Sequence, residues 1–180
     1  PLCRLSEIMK DLSSDRINVK PSTIIKWEKE FLEPGKENQE KILSEIKDGK
    51  VVHVDETSVK VNTDLHWIHT ISNERGIFYT VTKKRCDRET GPLDRLSSFN
   101  NVLVHDHLKS YYTLENCQHA ECNAHVQRYL QEGIDFECSE ACEKILEILQ
   151  MSLHRKHELQ EKGYVRMAEE EVSSISDIMQ

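Results

Sequence analysis

The stretch Val51-Val52-His53-Val54-Asp55-Glu56-Thr57 constrains this chain more than any other. Its β-branched residues specify a short buried strand, and an acidic pair stands where that strand is expected to run out. Asn101-Val102-Leu103-Val104-His105-Asp106 repeats the design. If the two strands are parallel neighbours, Asp55 and Asp106 come side by side. Two-metal phosphoryl chemistry needs carboxylates from separate elements, holding ions ~4 Å apart, and hard oxygen ligands suit Mg²⁺ or Mn²⁺. A lone acid at a strand end also serves as a turn or cap residue, so the pairing is what singles these two out. Glu56 is expected on the other side of the strand and ranks below Asp55.

The chain between the two stretches permits that pairing. Val59 and Val61 lead into a turn at Asn62-Thr63-Asp64, a strand over Leu65–Ser72, a loop at Asn73–Gly76 and a strand over Ile77–Thr82, which together predict an antiparallel meander. A basic loop and a short helix over 91–99, with Leu93 and Leu96 inward, then lead to the strand 101–105. A link of that length allows a parallel return beside the first strand. A short helix over 107–114 carries Tyr111 and Tyr112, and a possible fifth strand from Cys117 runs into a helix through Leu130.

Upstream, Leu5, Ile8, Met9 and Leu12 form a helical stripe. A second helix over Thr23–Phe31, capped by Ser22, is expected to end at Pro34-Gly35, with a third over 38–46. The first two can belong to a helix-turn-helix or to an ordinary helical hairpin. Downstream, Gly133 interrupts the helix. Ser139 caps a long one with Ala141, Ile145, Ile148, Leu149 and Leu153 as its apolar side, Gly163 breaks that, and an acidic helix covers 164–179. The expected organisation is α/β: a helical segment over 1–48, a catalytic core over 49–131 and an acidic helical region over 132–180.

A net charge of −8 runs against a nucleic-acid partner until its distribution is considered. Residues 1–50 hold 10 acids and 10 bases, residues 51–131 hold 10 and 9, and residues 132–180 hold 12 and 5. Nearly all the excess lies at the C-terminal end, so basic patches remain available elsewhere. Lys83, Lys84, Arg85 and Arg88 form one such patch, and Arg128 is a further candidate for DNA phosphates. No apolar run approaches the ~18 residues of a membrane span, and no secretory signal is evident. The leading proline makes the chain look like a fragment. The six cysteines then favour thiols or metal ligands over disulfides. His119-x-x-Cys122-x-x-His125, with Cys117 nearby, could bind zinc, although the spacing is no standard zinc pattern and a structural role is the simpler reading. Cys138 and Cys142, four apart, are expected to pack from one helix face.

Several of these stretches together resemble the transposases of the bacterial insertion sequence sixty-six family. They are Asp55-Glu56-Thr57-Ser58-Val59-Lys60-Val61, His66-Trp67-Ile68, Leu103-Val104-His105-Asp106, Tyr112 and His119-Ala-Glu-Cys122-Asn-Ala-His125-Val-Gln-Arg128. Ile17 to Trp27 also resembles the helix-turn-helix-like segment before the catalytic domain of that family. The resemblance covers most of residues 5–130. It implies an RNase H-like fold with a mixed five-stranded sheet, Asp55 and Asp106 as the first two catalytic acids, and two Mg²⁺ ions. It further implies DNA as partner, self-association in a transposition complex, and a cytoplasmic, nucleoid-associated location. Cys122-x-x-His125 matches a C-x-x-H motif near the active site of such enzymes. The third acid of the family is a Glu in an Asn-Asn-x-Ala-Glu-Arg-like motif, which this sequence lacks. It is expected beyond the fragment or lost, and a catalytically incomplete remnant is the alternative. His105 and His107 around Asp106 also depart from the usual Ser or Thr before and Gly after.

Overall fold

The computed structural model describes residues 2–85, 89–164 and 166–178. In chain order the elements are α1 (Leu2–Leu12), α2 (Pro21–Lys47), β1 (Val51–Val61), β2 (Asp64–Ser72), β3 (Ile77–Thr82), α3 (Pro92–Arg95), β4 (Val102–His105), a 3₁₀ turn (Tyr111–Thr113), β5 (Gln118–Glu121), α4 (Asn123–Glu137), α5 (Glu140–Glu161) and α6 (Glu169–Ile178). The five strands form one mixed sheet of order β3-β2-β1-β4-β5, consistent with an RNase H-like fold. The meander is antiparallel, from His53↔Ser72 to Val61↔Asp64 and from Trp67↔Thr82 to Ser72↔Ile77. The expected crossover is present, since β4 pairs parallel to β1 with Val51↔Val102, Val52↔Leu103 and His53↔Val104 in register.

The contacts divide the chain into two compact units, Pro1–Val104 with Leu108–His119, and His105–His107 with Ala120–Gln180. In the first, alternation along β1 turns Val52 and Val54 inward, where they meet Leu103, Ile71 and Phe78 of the other strands. Leu43 and Ile46 of α2 cover this face, and Leu93, Leu96 and Phe99 of the crossover close it. Ile46, Val52, Ile71, Leu96 and Leu103 are fully buried, each contributing roughly 1.5–3 kcal/mol. The turn into β1 depends on Gly49. A Cβ there would lie 2.4 Å from Nδ2 of Asn73, which donates to the Ile46 carbonyl at 3.0 Å.

Three local expectations for this unit change. α2 is one helix of 27 residues that runs through Pro34. A proline inside a helix removes one backbone bond, and here burial of Leu43 and Ile46 on the sheet holds the distal turns in place. Ser22 is not the cap, because Lys20 occupies that position and Pro21, with its φ already fixed, opens the helix. Finally, β1 does not run out at Asp55. It continues beside β2 to Val61, and what ends near Asp55 is its pairing with β4.

The second unit holds an α4–α5 hairpin and α6. α4 passes through Gly133, which the sequence pattern marks as a break, because a Cβ there would lie 2.7 Å from the Cys142 thiol. Cys138 is not on a helix face with Cys142. It caps α4 in the left-handed conformation (φ 51°), and Ser139 caps α5 by accepting from the Cys142 N–H at 3.4 Å. The buried positions of α5 are Leu146 and Leu159, whereas Ala141 and Ile145 are exposed. Arg155 ties α5 to α6 through Glu171 at 2.8 Å, and its hydrogen bond to Glu158 holds that carboxyl below the usual range.

Candidate functional site

In the first unit, β1 presents its two adjacent acids to opposite sides. Asp55 shares the face of His53 and is exposed; its Oδ1 accepts the backbone N–H of Glu56 at 2.9 Å. Glu56 shares the inward face of Val52 and Val54, and its side chain is 0% exposed. A carboxylate so placed needs donors on both oxygens. Arg85 Nε donates to Oε1 at 2.8 Å and the buried Tyr111 hydroxyl donates to Oε2 at 2.8 Å. The Arg85 guanidinium also lies 5.3 Å from the centroid of the Trp67 ring, a cation–π distance. The basic loop is therefore divided in use. Lys83 and Lys84 are exposed, Arg85 is tied to Glu56, and Arg88, like Cys86, lies outside the described residues.

Cys117 and His119 belong to the same unit and converge on one carbonyl. The thiol donates to Leu114 O at 3.3 Å and the His119 Nε2–H donates to it at 3.0 Å. The His119 ring stands 5.0 Å from that of Tyr112, and burial pushes the Cys117 thiol up.

The second unit contains Asp106, 9% exposed, between two histidines. His105 is fully buried and its Nδ1–H donates to the Asp106 carbonyl. His107 Nδ1–H donates to Glu121 Oε1 at 2.5 Å. Cys122 is the N-cap residue of α4, its N–H bonded to the His105 carbonyl at 2.8 Å. His125 follows in the first turn with Nδ1 buried and without a hydrogen-bond partner among the described residues; its ring centroid is 6.4 Å from that of Tyr129. Arg128 is exposed on the same helix. Among the described residues, no three His, Cys, Asp or Glu side chains form a group able to hold a metal ion.

Sequence reasoning placed Glu56 on the side of β1 opposite Asp55, as the structure has it, but gave no partner to Glu56 or to Tyr111. The signal was present in parity, because a residue two after Val54 on a continuing strand faces inward, and an inward acid demands donors.

No curated protein and no solved structure matches the chain. The family model described as Transposase IS66 family matches residues 1–177, nearly the whole length. No helix among the described residues is long and apolar enough to cross a membrane. On that match over residues 1–177, the chain belongs to the IS66 family of transposases.

Proposed function

We propose that this chain carries the catalytic core of a DDE-type transposase, cutting and joining DNA strands at element ends with Mg²⁺ or Mn²⁺ held by Asp55 and Asp106. The observation that carries this reading is the parallel register of β1 and β4. His53 pairs with Val104, and two residues further along each chain, at the same parity, stand Asp55 and Asp106. The donor chemistry fits, since carboxylate oxygens are the ligands such ions take. Asp55 has one oxygen fixed by the Glu56 N–H and no hydrogen bond on the other among the described residues. When bound, the ions supply an activated nucleophile and stabilisation of the leaving oxygen. The chain itself supplies the aim of Asp55, and Lys83, Lys84 and Arg128 as exposed cations for DNA phosphates. Assembly on paired element ends would proceed through self-association, in the bacterial cytoplasm where the nucleoid lies.

Mn²⁺ titration with thermal unfolding tests the reading. Asp55→Asn and Asp106→Asn should each weaken binding at least roughly tenfold, about 1.4 kcal/mol, with little change in Tm. Unchanged titrations in both variants would reject the pair. A second reading is a fragment that binds DNA or transposase without cutting. Cleavage of end-containing DNA by the full reading frame decides between the two.

A further inference from the structure

The acid beside Asp55 is built into the fold in a way that the metal reading leaves unexplained. The Glu56 side chain is fully enclosed, yet β1 at this point has left its register with β4 and pairs with β2. Its two carboxylate oxygens take separate donors from separate parts of the chain: Arg85, after β3, and Tyr111, after β4. Its backbone N–H simultaneously holds Oδ1 of Asp55. One residue thus bridges three segments of the first unit and hydrogen-bonds its neighbour's carboxylate. With both oxygens engaged and no exposure, Glu56 is not itself available as a ligand.

We propose that Glu56 is a positioning residue for Asp55, clamped by Arg85 and Tyr111 so that the Asp55 carboxylate keeps one orientation on a stretch of β1 beyond its register with β4. This rests on Asp55 being a metal-binding acid. Precise placement of a ligand by its supporting groups changes metal affinity without changing the ligand set. The clamp also fixes the loop that carries Lys83 and Lys84, through Arg85 and its contact with Trp67.

Tyr111→Phe keeps the buried ring and removes one donor; Glu56→Gln keeps the shape and removes the charge. In both, amide hydrogen exchange at Glu56 should accelerate about tenfold or more while Val52 and Val54 keep their protection. Mn²⁺ affinity should fall roughly five- to tenfold at unchanged stoichiometry. Unchanged exchange at Glu56 in both variants overturns the clamp. Faster exchange with Mn²⁺ affinity equal to that of the unmodified protein overturns the positioning role and leaves a structural one. If the unmodified protein and Asp55→Asn show the same Mn²⁺ titration, the metal reading of Asp55 fails, and positioning falls with it whatever the exchange data show. Loss of the ion altogether in Glu56→Gln, with Tyr111→Phe unaffected, would make Glu56 a direct ligand and also overturn the proposal.

Discussion

The Cys117 thiol is partly buried against the core of the first unit, donates to the Leu114 carbonyl, and has its pKa raised mainly by desolvation. Its thiolate fraction is accordingly lower than that of an exposed cysteine, and the thiolate is the reactive form. Alkylation by iodoacetamide at about pH 8, followed by mass spectrometry, should modify Cys3 and Cys138, both exposed, several-fold sooner than Cys117. At this scale the sequence was informative about type and weak about partners. The parallel pairing of the strands that carry Asp55 and Asp106 was legible, because the two apolar runs repeat one design and the link between them is long enough for a crossover. The Glu56–Arg85 and Glu56–Tyr111 bonds were not, because they join residues 29 and 55 positions apart, and no local pattern encodes such separations.

Among the elements, β2 and β3 were legible nearly to the residue, because period-2 alternation and the Asn73–Gly76 loop leave little freedom in register, whereas β1 runs on to Val61 past its expected end. Helix limits were less so. Pro34-Gly35 and Gly133 are local stop signals, and both are overridden by packing remote in sequence. The override has a measurable cost. Pro34→Ala restores one backbone donor to α2 and should stabilise the protein by about 1–3 kcal/mol in urea titration, with a small gain in helical circular dichroism. Gly133 gives a sharper test. Alanine is the better helix former by about 1 kcal/mol, but its Cβ would meet the Cys142 thiol. Gly133→Ala should therefore be stabilising only in the Cys142→Ala background, where the gain approaches about 1 kcal/mol. Additive effects in that double-mutant cycle would show that the thiol simply rotates away.

For the whole molecule, the uneven charge matters more than its total. The excess of acids sits in residues 132–180, while the exposed lysines of the β3–α3 loop sit in the sheet-bearing unit. DNA affinity measured against salt should reveal which cations touch phosphate. Lys83→Gln and Lys84→Gln should each flatten the log–log slope by roughly 0.9, whereas Arg85→Gln should cost stability through Glu56 and leave the slope nearly unchanged. Charge counts could place the patch but could not foresee that one of its members is tied down inside the fold. α2 has a further consequence. Its last turns are built into the core of the sheet, and its 27 unbroken residues extend for about 40 Å. Such a rod acts as a ruler and a protractor together. Lengthening it by one residue would swing everything mounted on its leading end by about 100° about its axis, whereas seven added residues would nearly restore the phase and shift that end by about 10 Å. Changes in the length of α2 therefore keep the facing of what it carries only in near-whole-turn steps such as seven or eleven residues.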